Sequence, residues 1–128
     1  MTDRLTIALA QLNPTVGAIK ANLEKARATL AGLRNCDLVL FPELYIAGYP
    51  PEDLVLRKSF VAQCKAAVEK LAVEFAIGPA ILIGLPWADA SGLKNAVALL
   101  NGGKIETLRF KFDLPNYGVF DEKRVFTP

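Results

Sequence analysis

Two short, unbroken apolar runs, Leu38-Val39-Leu40-Phe41 and the stretch over residues 80–85, each follow a segment with helical spacing. A run of this kind, closed by Pro42 in the first case, is the pattern of a strand buried on both faces, because a half-exposed strand alternates. Strands of that type belong to sheets crossed by helices. Before the first run, Ile19, Leu23, Ala26, Leu30 and Leu33 recur at spacings of four, three, four and three, which is one face of a helix. An earlier β-suited run over residues 5–10 ends at Gln11, and Asn13-Pro14-Thr15-Val16-Gly17 follows it as a loop. Strand, helix, strand in this order predicts a βαβ crossover.

Gly48, Pro50 and Pro51 make residues 44–53 a loop. The next helix carries Val61, Cys64, Val68, Leu71 and Phe75 in one stripe, with Lys58, Gln63, Lys65 and Glu69 off it, and Gly78-Pro79 ends it. Residues 96–100 and 105–110 flank Asn101-Gly102-Gly103, a hairpin signal because Asn-Gly tolerates the positive φ of a tight turn. Alternation along the second of these strands puts Ile105, Thr107, Arg109 and Lys111 on one face, with Glu106, Leu108 and Phe110 on the other. The order β-α-β-loop-α-β-β-β-loop predicts an α/β layer fold with a mixed sheet, in one domain over residues 1–128. No strand or helix closes the chain after its last loop, so part of a larger domain is expected.

The sequence contains no histidine. Within the chain this excludes Ser-His-Asp and Cys-His pairs, histidine-ligated zinc and imidazole proton shuttles. Carboxylate, lysine, tyrosine and thiol remain. Cys36 and Cys64 form no CxxC pair, too sparse a set for a disulfide scaffold or a metal site, and their apolar surroundings fit a reducing compartment. Cys64 lies in the helix stripe, and Cys36 precedes a strand at the end opposite Glu43, so neither is placed as an activated nucleophile. Fifteen Lys and Arg against thirteen Asp and Glu leave a net charge of +2, no footprint for nucleic acid or an anionic membrane. Met1-Thr2-Asp3-Arg4 has no signal-peptide layout, and no apolar run approaches the ~20 residues of a membrane helix. A cytoplasmic protein is expected.

Two residues stand where chemistry is done. Glu43 follows immediately on a buried strand, where α/β folds hold their ligands, and suits general-base work; a solvated or helix-capping carboxylate is the other reading. Lys111 ends the hairpin's second strand between Phe110 and Phe112. Its ammonium can donate to a developing oxyanion, or it can be a surface lysine whose stem lies along apolar neighbours.

Phe41-Pro42-Glu43-Leu44, followed by Ala47-Gly48-Tyr49, resembles the first signature of the nitrilase, or carbon-nitrogen hydrolase, superfamily. Lys111-Phe112-Asp113-Leu114-Pro115 resembles its lysine signature, and residues 7–17 fit its first strand and loop. Within the superfamily, Asn13-Pro14-Thr15-Val16-Gly17, Gly48-Tyr49-Pro50-Pro51-Glu52-Asp53-Leu54 and Leu114-Pro115-Asn116-Tyr117-Gly118-Val119-Phe120-Asp121-Glu122 resemble the glutaminase domains of glutamine-dependent NAD synthetases, N-terminal part only.

The resemblance implies a four-layer α-β-β-α sandwich with mixed sheets, incomplete in this chain, and a Glu-Lys-Cys catalytic set. Glu43 corresponds to the general base and Lys111 to the oxyanion-holding ammonium. Tyr117 matches a glutamine-pocket position, and Glu122 a second carboxylate that holds the lysine. The family's nucleophilic cysteine lies after a later strand, and neither Cys36 nor Cys64 matches it. The implied activity is hydrolysis of the glutamine amide, with ammonia passed to a synthetase domain in NAD biosynthesis. ATP and magnesium are implied for that absent domain and no cofactor for this chain, where no Gly-rich phosphate loop occurs. The implied partners are glutamine, the rest of the glutaminase domain, the synthetase domain and further copies of the full-length chain. Another amidase or carbamoylase of the superfamily, or a non-catalytic binding module on the same fold, are the alternative readings.

Overall fold

The computed structural model describes residues 3–128. Met1 and Thr2, half of the stretch read as lacking a signal-peptide layout, lie outside the described residues. Five strands form one mixed sheet in the order β1-β2-β3-β4-β5. The strands are β1 (Ile7–Leu9), β2 (Leu38–Leu40), β3 (Ala80–Asp89), β4 (Gly92–Asn101) and β5 (Lys104–Phe110). The first three run parallel, β4 pairs antiparallel with β3, and β5 antiparallel with β4. Helix α1 (Ile19–Ala31) links β1 to β2, and α2 (Lys58–Glu74) links β2 to β3. Among the described residues no helix is long and apolar enough to cross a membrane.

Helical crossovers that advance the same way across a sheet, each with the usual right-handed turn, drop their helices on one face. Here α1 packs on α2, and Arg27 of α1 bonds Glu74 at the end of α2. Beneath the helices Val39, Ile81, Ile83 and Leu85 are fully buried with Leu30, Cys64 and Leu71. The other face of the sheet is uncovered: Leu9 is 72% exposed, and Ile7 and Leu40 are also exposed. The expectation that β2 is buried on both faces is therefore corrected. Its apolar run is continuous, but helices cover only one side of it. One helical layer and one sheet are thus present, part of the four-layer arrangement.

Two local readings also change. Asn101 pairs with Lys104 inside the ladder, so the hairpin turn is Gly102-Gly103, both at positive φ, rather than Asn101-Gly102. Glycine meets that requirement without a Cβ penalty. The register shifts between Leu99 and Leu100, so that Leu99 faces Thr107 while Leu100 faces Ile105. The bulge leaves Glu106 without an opposite residue and turns Ile105 to the helical face, beside Leu108. Strict alternation fails there because an extra residue resets the period. Thr107, Arg109 and Lys111 keep the uncovered face.

The loop after β2 is as buried as any strand. Leu44, Tyr45, Ile46 and Ala47 are all enclosed, which requires partners for their backbone groups. Main-chain bonds supply most of them, Ile46 N–H donating to the Gly84 carbonyl and the Ala47 carbonyl accepting from Gly17 N–H. Buried Asn22 of α1 supplies another: its Nδ2 donates to the carbonyls of Ile46 (3.1 Å) and Thr15 (2.9 Å), and its Oδ1 accepts from Thr15 N–H. The Tyr45 hydroxyl donates to the Asn22 carbonyl at 2.8 Å, and burial pushes that phenol up to about 12. A polar lattice inside the core thereby fixes the turn that begins at Glu43.

Candidate active site

Glu43 leaves the C-terminal end of β2, and Lys111 leaves the end of β5 two strands beyond β3. The distance between them is bridged by β4. Asn95 of β4 donates from Nδ2 to Glu43 Oε1 at 2.7 Å, and its backbone carbonyl accepts the Lys111 N–H at 2.9 Å. The Lys111 ammonium donates to the same Glu43 Oε1 at 2.8 Å and to Glu122 Oε1 at 2.9 Å. Glu43 and Lys111, singled out separately in the sequence, are thus brought into direct contact at the sheet rim. Partial burial pulls the Lys111 pKa down, but hydrogen bonds and attraction from Glu43 and Glu122 outweigh it, and the net displacement is upward from 10.5. The ammonium's contribution to stability is thus complete below the ordinary lysine value. It is lost only as pH rises through the raised one.

The main chain at Glu43 is held by close approach. A Cβ on Gly84 of β3 would lie 2.2 Å from Leu44 N and 2.8 Å from the Pro42 carbonyl oxygen. Those are backbone atoms with nowhere to go. Leu44 itself has φ 52, a conformation that costs a non-glycine residue on the order of 1–3 kcal/mol and persists because its buried side chain holds it. Gly84→Ala is therefore expected to destabilise the intact protein by about 1–3 kcal/mol, as overpacked cores do. Chemical denaturation checks this, and an unchanged midpoint with unchanged slope would show that the Pro42–Leu44 backbone is not clamped.

Glu122 comes from the loop that β5 runs into. That loop is hooked to β4 at both ends, by Lys111 N–H on Asn95 and by Thr127 N–H on the Leu93 carbonyl at 2.7 Å. Leu114 and Phe126 anchor it in the core, and Arg124 ties it to Asp53 and Glu52 of the 3-10 turn Glu52–Leu56. Glu122 is 8% exposed, and its Oε2 is buried with no hydrogen-bond partner among the described residues. Tyr49, in the loop facing Glu122, has its phenol pKa raised by burial and by the charges of Glu43 and Glu122, so it stays neutral.

Glu43, Asn95 and Lys111 line an open cavity of about 650 Å³ on the uncovered sheet face, floored by Leu9, Leu40 and Val97. Tyr117 is not among them. It is 71% exposed, packs edge-on against Phe120 at 5.7 Å, and shares with Lys111 a separate cavity of about 460 Å³. Neither cysteine reaches the site. Cys36 is half-buried before β2, and Cys64 is enclosed in α2, where burial pushes its thiol up to about 12. Among the described residues no group of three or more His, Cys, Asp or Glu is placed to hold a metal ion. Asn95 was missed by sequence reasoning, although Lys94-Asn95, two polar residues that head an apolar strand stretch, were a visible signal.

What can a lysine between two carboxylates do? It can keep a fixed positive charge at the mouth of a cavity, beside a carboxylate held through one of its two oxygens. The family model described as carbon-nitrogen hydrolase matches residues 6–128. The chain belongs to this family. Among carbon-nitrogen hydrolases it is 46% identical over 128 residues to the glutamine-dependent NAD(+) synthetase of Rhodobacter capsulatus, an alignment covering 98% of this chain and 23% of that protein. The solved glutamine-dependent NAD+ synthetase of Acinetobacter baumannii, in complex with ADP, superposes with a TM-score of 0.86 at 35% identity. That match covers 96% of this chain and 24% of the other. The corresponding enzyme from Cytophaga hutchinsonii gives a TM-score of 0.90 at 27% identity, over 96% and 21%. The chain therefore spans about a quarter of the length of these three relatives, and it shares the α/β fold of the solved ones over nearly all of its own length.

Proposed function

We propose that residues 1–128 form the N-terminal part of a glutaminase domain, and that the whole protein hydrolyses glutamine to supply ammonia for NAD synthesis. One observation carries this reading: Lys111 Nζ spends two N–H groups on Glu43 and Glu122, which leaves its third for a substrate oxygen. The names of the relatives support the choice of glutamine and of the amidated product.

In this reading Glu43 takes the proton of a cysteine thiol, and the thiolate attacks the side-chain amide carbon of glutamine. The carbonyl oxygen gains the charge and is held by the third N–H of Lys111, a contribution on the order of 3 kcal/mol per donor. Glu43 returns its proton to the departing nitrogen, and ammonia leaves. It then deprotonates a water that opens the thioester to glutamate. Glu122 holds the ammonium in place, and Tyr117, beside Lys111, contacts the glutamine. We place the nucleophile outside these 128 residues, because Cys64 is sealed in the core and Cys36 lies at the far end of β2. ATP and magnesium belong to a synthetase domain, also outside these residues. A cytoplasmic, homo-oligomeric enzyme completes the proposal.

Ammonia release by the full-length protein tests it, with glutamine set against N-carbamoyl amino acids and aliphatic amides. Glutamine is expected to be turned over in preference to both, and equally well after Cys36→Ala combined with Cys64→Ala. Preference for a carbamoyl or aliphatic amide would make the protein another amidase of the family, and loss of release in the double variant would return the nucleophile to one of these thiols.

A further inference from the structure

Glu43 presents its two carboxylate oxygens unequally. Oε1 accepts from Asn95 Nδ2 at 2.7 Å and from Lys111 Nζ at 2.8 Å, while among the described residues no donor reaches Oε2. We infer that Asn95 is a positioning residue that assigns the oxygens of Glu43 to different tasks, Oε1 to anchoring and Oε2 to proton transfer. The inference rests on the reading of Glu43 as the base.

A carboxylate held by Lys111 alone is free to turn about its last torsion, since that torsion is soft and its two oxygens are chemically alike. The lysine then follows whichever oxygen is nearer, and the ammonium moves with it. A second donor from a different direction removes that freedom. Asn95 suits the task because it does not move: it is 4% exposed, sits in β4 between two paired strands, and holds the Lys111 backbone through its own carbonyl. One residue thus fixes where the base points and where the ammonium's strand ends. Its amide must present nitrogen to Glu43, because the amide oxygen would meet a carboxylate with no proton between them. Both acceptor directions of Oε1 are filled, and a proton arriving at Glu43 goes to Oε2.

Full-length protein carrying Asn95→Leu or Asn95→Asp tests this with glutamine as the substrate. Asn95→Leu is expected to lower kcat by about 10- to 100-fold with KM within about twofold, the pattern of a misplaced base with substrate binding unchanged. In Asn95→Asp, the near-isosteric change that protects folding, the deficit is expected to be larger at neutral pH and to narrow at lower pH. There the introduced carboxyl and Glu43 share one proton, and a donor to Oε1 is restored. A role in packing alone moves neither the kcat-against-KM split nor the pH dependence of the deficit. A kcat within twofold of the parent in both variants would overturn the inference while the glutaminase reading stood. Should the parent itself release no ammonia from glutamine, that reading fails separately, and crystal structures of the parent and the Asn95→Asp protein still decide the inference. A reoriented Glu43 carboxylate supports it, and one unmoved with Lys111 still on Oε1 overturns it.

Discussion

Replacing Glu43 by glutamine is expected to abolish glutamine-dependent synthesis in the full-length protein while ammonia-dependent synthesis stays nearly intact. The change is close to isosteric. The glutamine amide oxygen can still accept from Asn95 and Lys111 at the Oε1 position, so the fold and the ammonium keep their places. What changes is the other position, where an NH2 donor replaces the oxygen that takes protons. Loss of a general base costs on the order of 10²–10⁴ in rate, and in the proposed reaction the same group serves thiol activation, ammonia departure and thioester hydrolysis. Steady-state assays with glutamine and with ammonium salts measure both activities on one preparation. Equal loss of the two would make Glu43 a structural carboxylate.

Lys111→Met is expected to lower glutamine turnover by at least ~100-fold, the scale set by removal of one oxyanion donor. It also removes the partner of two carboxylates at once. Glu43 keeps Asn95 and faces an open cavity, but Glu122 is enclosed, and Lys111 supplies the hydrogen bond to its Oε1. A buried carboxyl stripped of its partner costs about 1–3 kcal/mol or more, so stability should fall along with activity. Lys111→Met combined with Glu122→Gln separates the two effects, because a neutral amide tolerates the loss of the ammonium better. Stability is expected to recover in the double variant, and turnover is not. Normal turnover in Lys111→Met, measured by ammonia release, would remove the lysine from the oxyanion site.

Much of the chain's architecture was legible because local patterns and packing agree. The four-three spacing of Ile19, Leu23, Ala26 and Leu30 became the core face of α1, with Leu23, Ala26 and Leu30 buried and Ile19 half-buried, and the stripe from Val61 to Leu71 became that of α2. The βαβ order, the mixed sheet and the β4–β5 hairpin followed from the same periodicities. Glu43 and Lys111 could be singled out because each stands just past a strand, where a side chain leaves the sheet and can meet residues from elsewhere. The signature stretches around them added the second carboxylate, Glu122, and its contact with Lys111 is present at 2.9 Å. Tyr117 drew attention in the same way, and the folded loop holds it beside Lys111 but apart from the cavity that Glu43 lines.

Other features had no local signature. A continuous apolar run reads the same whether one or both of its faces are covered, since residue type reports suitability for burial and not the presence of a covering layer. Leu40 is apolar and exposed for that reason. The bulge at Glu106 depends on the register between two strands, a relation that neither strand carries alone. Gly84 looks like any glycine in a strand until the backbone of Pro42, Glu43 and Leu44 is laid across it.

Sequence by itself determined which residues carry charge, which segments are helix or strand, and that these 128 residues supply no imidazole. Each of these is a property of a residue or of its near neighbours. Tertiary structure alone decided that Asn95, 52 positions from Glu43, holds one oxygen of that carboxylate, and that Lys111, 68 positions away, shares it. Hydrogen bonds select partners by distance and direction in space. Those are settled only when β4 is seated between β3 and β5 and the loop after β2 is sealed against Asn22.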